Sequence, residues 1–293
     1  MDNKKPLDNK LPNIDALLPG EMALKAEGIG VTKANLPFAK TFLLAVLAGA
    51  FIAMGAIFAT TVTAGAGGIL SFGVTKLLGG LVFCLGLILV VVGGAELFTG
   101  NNLIVMAWAS NRITVLHVLR NWVYVYIGNF VGSVVTAYVM FLTKQYTFGG
   151  GAIGLNVLGI ANSKTGLDFV QAVALGIFCN ALVCMAVWMC YSARSTTDKI
   201  LAIIFPITGF VAAGFEHSVA NMYFIPIGIF VKDWAPASFW ETVGKTGADY
   251  ANLTWNNFLL ANLLPVTIGN IIGGSIMVGL VYWFVYVRQR KQV

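Results

Sequence analysis

Charge is what this 293-residue chain has least of: Asp, Glu, Lys and Arg make up 10% of it, against 58% hydrophobic residues. Soluble domains carry about 25% charged residues, so a water-exposed globular surface is excluded. Histidine is scarce too, with only His117 and His217, and no histidine pair stands at metal-ligand spacing. Cys84, Cys179, Cys184 and Cys190 fall inside apolar runs without a C-x-x-C pair, which reads as small packing residues and not as a disulfide framework or zinc site. No metal and no cofactor is expected. Paired catalytic carboxylates and a nucleophile elbow are missing, which argues against an enzyme. Nor is a cleavable leader visible, because the first forty residues are polar and carry six lysines.

What the chain has instead is long uncharged stretches, at 41–75, 77–95, 121–143, 169–193, 200–215 and 250–287. A membrane-spanning helix needs about 20 apolar residues, so the pattern predicts an all-α membrane protein with six crossings, the second and fifth irregular. The runs lack the alternation of a transmembrane barrel. An even number of crossings puts both termini on one side. Thirteen of the eighteen Lys and Arg residues fall on that side, and Lys76, Lys144, Lys164, Lys232 and Lys245 on the other. The positive-inside rule then makes both termini cytoplasmic. All seven Trp fall near span ends, where interfacial anchors are expected. The net charge of +6 follows from this asymmetry and carries no nucleic-acid signal.

The chain also repeats itself. Gly94 to Asn101 and Gly214 to Asn221 share the frame G-x-E-x-x-x-x-N, and Ile127 to Gly132 recurs as Ile268 to Gly273 in the frame I-G-N-x-x-G. The first and fourth spans align more loosely, Phe42, Ala45, Val46, Gly49 and Phe51 against Phe169, Ala172, Val173, Gly176 and Phe178. Three spans per half is an odd number, so the second half enters from the opposite face as an inverted repeat. The boundaries read as an N-terminal arm at 1–40, a channel domain at 41–287 with repeats at about 41–143 and 165–287, and a short tail at 288–293. Within the arm, Pro6, Pro12, Pro19 and Pro37 surround a helix-like piece at 20–26. Fifteen uncharged residues separate Glu96 from Arg112, and another fifteen separate Glu216 from Lys232. As helix each covers about 22 Å, short of the roughly 30 Å hydrocarbon core. Each is therefore the second piece of a crossing broken near mid-depth, with Gly93, Gly94, Gly100 and Gly214 permitting the turn.

Polar groups at that depth carry the function, because unpaired backbone is tolerated in a bilayer only where it lines a cavity. His217 alone of the histidines lies there, and imidazole changes charge near neutral pH. His117, between Arg112 and Arg120, reads as a plain loop residue. A carboxylate would repel an anion, so Glu96 and Glu216 are expected to structure the loops by accepting backbone N–H bonds. A proton relay with His217 is the alternative.

These stretches, Gly93-Gly94-Ala95-Glu96-Leu97-Phe98-Thr99-Gly100, Gly176 to Trp188, Gly214 to Met222 and Pro265 to Asn270, resemble the formate/nitrite transporter family, most of all its bacterial formate channels. The resemblance covers nearly the whole chain. Ala181 stands where the family usually has a bulkier apolar residue, and Glu96 where several formate channels carry Asp. What it implies is an aquaporin-like six-helix fold in a homopentamer of the inner membrane, one pore per protomer, with the N-terminal arm near the cytoplasmic mouth. Carried over, the pore constrictions are Phe83, Leu87, Leu97, Phe98 and Phe210, with Thr99 and His217 facing the pore between them. Lys164, Asn180 and Asn270 are implied as further polar positions along the anion path. The implied cargo is formate, as a small anion or its protonated acid, with nitrite and hydrosulfide as alternatives within the family. A neutral-solute channel of aquaporin type is the alternative of another class, although the N-P-A signature is absent.

Topology is the first test. A reporter fused after Val293 and one placed within 235–249 are expected on opposite faces of the membrane; the same location for both would overturn the six-crossing reading.

Overall fold

A computed structural model describes residues 16–288 of the chain. Pro6 and Pro12 of the expected arm, and Arg290 and Lys291 of the expected tail, lie outside that range. Among the described residues every regular element is helical, as lipid requires, since a helix pairs its backbone groups internally. The first half contains α1 (Pro19–Ala34), α2 (Phe38–Thr63), α3 (Phe72–Gly93), a tight turn at Gly100–Ile104 leading into α4 (Val105–Ala109), and α5 (Val115–Leu142). The second contains α6 (Ala152–Thr165), α7 (Phe169–Ser192), α8 (Thr196–Ala212), α9 (Ser218–Trp234), the short α10 (Ala237–Val243) and α11 (Asn257–Tyr286).

Five of these, α2, α3, α5, α7 and α11, are long and apolar enough to cross a bilayer. The fifth crossing is made by α8 and α9, of 17 residues each, about 25 Å apiece. The expected breaks are both present. They are unequal: α9 is a full helix, whereas its counterpart in the first half is the turn and α4, stopped at Asn111 by a left-handed backbone (φ 58°).

Two elements differ from the sequence expectation. The piece at 20–26 extends as α1 to Ala34, where Pro37 disfavours helix in the residue before it. At 14 residues, α6 is too short to register as a span, and it falls between the two expected repeats. α1 occupies the equivalent place in the first half. Each half is thus a short helix followed by three crossings, with α1 and α6 at opposite ends of the bundle. Met22, Ala23 and Ala26 of α1 pack against Met106, Trp188 and Val287, so both described ends of the chain meet on one face.

That packing corrects one expectation. Trp188 is buried beneath α1 with its ring 4.3 Å from that of Tyr282, so it is internal and not an interfacial anchor, whereas Trp122 is half-buried and donates its indole N–H to the Asn101 carbonyl. The four cysteines are free and buried, as packing residues should be.

Within each half the first and third crossings touch backbone to backbone. A side chain on Gly132 would collide with the Val46 carbonyl, and one on Gly273 with the Ile177 carbonyl. Lipid supplies no hydrophobic drive between helices, so such close contact between small residues supplies the packing. Gly273→Ala is expected to lower the thermal unfolding temperature in detergent, by overpacking worth about 1–3 kcal/mol. Gly159→Ala, at an exposed α6 position with open space around it, should leave stability unchanged or raise it, since Ala is favoured over Gly in a helix by up to about 1 kcal/mol.

Candidate functional site

Both breaks are built the same way. α3 and α8 end at Gly94 (φ 74°) and Gly214 (φ 73°), the left-handed residues that close a helix. Ala95 N–H then returns to the Val90 carbonyl at 2.9 Å, and Phe215 N–H to that of Phe210 at 3.0 Å. The next N–H groups leave the helix: Glu96 donates to the Leu44 carbonyl and Glu216 to that of Leu175. One asparagine then clamps each loop. Asn129 donates to the carbonyls of Ala45 (2.7 Å) and Glu96 (2.9 Å) and accepts from Phe98 N–H at 2.9 Å. Asn270 donates to those of Gly176 and Glu216 and accepts from Ser218 N–H, each at 2.9 Å. A primary amide suits the place because it carries two donors and an acceptor in one plane.

The carboxylates repeat the correspondence. Lys33 pairs with Glu96 at 2.7 Å and Lys164 with Glu216 at 2.7 Å. Asn101 donates to the second oxygen of Glu96 and to Asn121, while Asn221 does the same to Glu216 and Asn262. Asn121 and Asn262 donate in turn to the carbonyls of Lys33 and Lys164. Both glutamates are therefore tied into the loops, though their partners are a lysine and an asparagine amide where backbone N–H groups were expected. The backbone donors beside them are already taken by the carbonyls and clamps above.

Two cavities approach the loops from opposite ends. The first, about 430 Å³, opens beside α1 and reaches Leu87 and Leu97; the second, about 260 Å³, opens beside α6 and reaches Phe83, Phe210 and His217. Their linings share no residue, and buried between them Thr99 Oγ1 lies 3.0 Å from His217 Nε2. The other ring nitrogen, Nδ1, accepts the Ala220 N–H at 3.0 Å and caps α9. An accepting Nδ1 places the proton of the neutral ring on Nε2, which donates to Thr99. The Thr99 hydroxyl proton is left to a solute.

The structure thus places Leu87 and Leu97 on the first cavity, Phe83, Phe210 and His217 on the second, and Thr99 against His217. Other expected positions sit elsewhere. Phe98 turns its ring edge-on to Trp122 and Tyr126, with centroids 6.0 and 4.9 Å away, and lines neither cavity. Asn270 lines neither, because its amide is consumed by the clamp. Asn180 is likewise behind the pore wall, donating to the carbonyls of Thr99 and Asn270 and to Asn102. Lys164 does line the second cavity, with its charge already paired to Glu216. The second half also holds the loop of the first: Asn180 and Cys184 bond the Thr99 carbonyl.

Lys33, Asn101, Asn121, Asn129, Asn221 and Asn262 were not singled out from sequence. Three of them stand in frames read as repeats without a role for the amide. A signal for Lys33 exists as well: G-I-x-x-x-K-x-x-L-x-F occurs at 28–38 and again at 159–169, in the two short helices that lie outside the long apolar runs.

Comparison with known proteins gives a consistent picture. The profile of the family described as formate/nitrite transporter matches residues 20–284. The formate channel FocA of Escherichia coli K12 is 50% identical over 275 residues, 94% of this chain and 96% of that protein. Formate channel FocA of Haemophilus influenzae is 44% identical over 93% of this chain and 95% of its own. Among solved structures, a pentameric formate channel with formate bound aligns with a TM-score of 0.79 at 47% identity, over 86% of this chain and 98% of that one. An FNT family ion channel aligns with a TM-score of 0.74 at 29% identity, over 90% and 98%.

The clamp is open to test. Asn270→Ala strands the Ser218 N–H and the Glu216 carbonyl in the interior, at about 1–3 kcal/mol for each buried group left unsatisfied. It should lower the unfolding temperature in detergent well below that of the parent, and parental stability would remove the clamp role.

Proposed function

The chain belongs to the formate/nitrite transporter family, and on that premise we propose that it is a passive, pH-dependent channel for formate in a bacterial inner membrane. The assembly is a homopentamer with a pore in each protomer. Both termini, and with them the α1 end, face the cytoplasm, in line with the distribution of basic residues. The observation that carries the reading is the buried Thr99–His217 pair, with Leu87 and Leu97 on a cavity to one side and with Phe83 and Phe210 beside His217 on a cavity to the other.

Leu87 with Leu97, and Phe83 with Phe210, are the barriers. Hydrated ions stop at an apolar constriction because dewetting there is costly. Formate reaching the centre meets the Thr99 hydroxyl as donor and the positive N-terminal end of α9. Passage through the barrier is easier once the anion takes a proton. The proton moves from Nε2 of an imidazolium to Thr99 while the Thr99 hydroxyl proton moves to a formate oxygen, giving neutral imidazole and formic acid. Neutral imidazole cannot serve as the donor, since it would be left as an anion. Imidazolium needs a proton on Nδ1, and there the Ala220 N–H is bound. Charging His217 therefore releases the cap of α9, so protonation and loop geometry change together. At acidic pH the ring is charged more often and formate leaves as the acid; at neutral pH it passes as the anion.

His217→Asn tests this. Asn accepts the Ala220 N–H through its own side chain, as a good helix cap does, yet it does not titrate. Formate flux into proteoliposomes of the variant is expected to persist at neutral pH and to lose the change with acidification that the parent shows. A variant with the parent's pH dependence would leave His217 as a helix cap alone. Nitrite and hydrosulfide, measured in the same vesicles, establish the preferred anion.

A further inference from the structure

Thr99 and His217 come from loops that belong to opposite halves, and each clamp fixes its loop to its own half. Asn180 ties the two loops to each other. Buried in the middle of α7, it directs its amide nitrogen at three acceptors: the Asn270 carbonyl at 2.7 Å, the Asn102 side-chain oxygen at 3.1 Å and the Thr99 carbonyl at 3.3 Å. A primary amide has two protons to give, so the Asn270 carbonyl takes one while Thr99 and Asn102 share the other. Cys184, one turn further along α7, adds its thiol to the Thr99 carbonyl at 3.3 Å. Asn102 donates in turn to the Phe98 carbonyl at 3.0 Å. At the other end, the Asn270 side chain accepts the N–H of Ser218, the residue after His217. A chain of bonds therefore runs from the residue bearing the hydroxyl to the residue beside the ring.

This arrangement has no copy in the repeat, where Ala53 stands opposite Asn180 and Met222 opposite Asn102. Buried amides are kept where their hydrogen bonds are made, and these two occur at the level of the Thr99–His217 pair. Room is left for them as well, since a side chain on Gly274 would collide with the Asn180 amide and the Cys184 thiol. Charge around the pair has other sources. Glu216 stands beside the ring, Lys164 from α6 is paired with it, and Lys76 from α3 lines the same cavity. Glu96 and Lys33 lie on the Thr99 side, and α7 carries the buried thiols of Cys179 and Cys184. The three acceptors of the Asn180 amide are all uncharged.

We propose that Asn180, assisted by Cys184, is a positioning residue for the proton step, holding the Thr99 hydroxyl and the His217 ring at bonding distance by binding the backbone of both loops at once. It lines neither cavity, so it acts through Thr99 and Asn270 and not on the solute. The inference rests on the formate-channel reading.

Formate flux into proteoliposomes at acidic and neutral pH is the first measurement. Asn180→Ala should lose most of the change on acidification that the parent shows. Gly132→Ala, overpacked against the Val46 carbonyl at a site remote from these amides, is the control: it should be less stable than the parent and keep the parent's pH response. A parent-like response in Asn180→Ala overturns the proposal. Should that variant not assemble, Cys184 decides: Cys184→Ala should reduce the response and Cys184→Ser, which offers a hydroxyl to the same carbonyl, should restore it, whereas a parent-like Cys184→Ala overturns the proposal. The bond is also observed without flux, by NMR, as exchange of the His217 Nε2 proton with water. Exchange should be about tenfold faster in Asn180→Ala than in Gly132→Ala, the scale of one hydrogen bond, and equal rates would overturn the proposal. The expected rates in a protein that conducts no formate would refute the channel reading and leave the positioning role standing.

Discussion

Two asparagine side chains satisfy the backbone where the bilayer offers no water. Any helix broken near mid-depth leaves N–H and C=O groups that lipid cannot bond, and the breaks at Gly94 and Gly214 create that difficulty twice. Asn129 and Asn270 resolve it by each taking one N–H and two carbonyls. With the backbone fixed, Glu96 and Glu216 point to where α1 and α6 bring a lysine. The half-helices, the ion pairs and the gap between the cavities all depend on those six hydrogen bonds.

The clamps also decide where the two halves are free to differ. They use the backbone at Glu96 and Phe98 in one loop and at Glu216 and Ser218 in the other. Between and beyond those positions the side chains answer to no such requirement. There the correspondence fails: Leu97 stands opposite His217 in the repeat, and Thr99 opposite Val219. Each loop contributes one apolar and one polar side chain, in reversed order, and the two polar ones meet at 3.0 Å. Pseudosymmetry supplies the frame, and its failure at two positions supplies the chemistry.

The number of crossings, the two breaks and the inversion were legible in the sequence, because each follows from run length or from a short repeated motif. The clamps were half legible: I-G-N-x-x-G was visible, but whether Asn129 and Asn270 face a pore or a backbone depends on helix rotation, which a run of Gly, Ile and Val does not reveal. The resemblance alone placed Phe98 with Leu97, whereas its ring turns to Trp122 and Tyr126, as consecutive residues in an irregular loop point apart. α1 and α6 were missed as counterparts because they are too short and too polar to register as spans, and with them Lys33, whose role depends on a carboxylate far along the chain.

The second half of the molecule completes the loop of the first. The Thr99 carbonyl is bonded by Asn180 and Cys184, both from the second half. Synthesis runs from one end, so the first half is made with its loop unfinished and waits for the fourth span to supply Asn180. The central site is accordingly among the last features to form as the chain enters the bilayer.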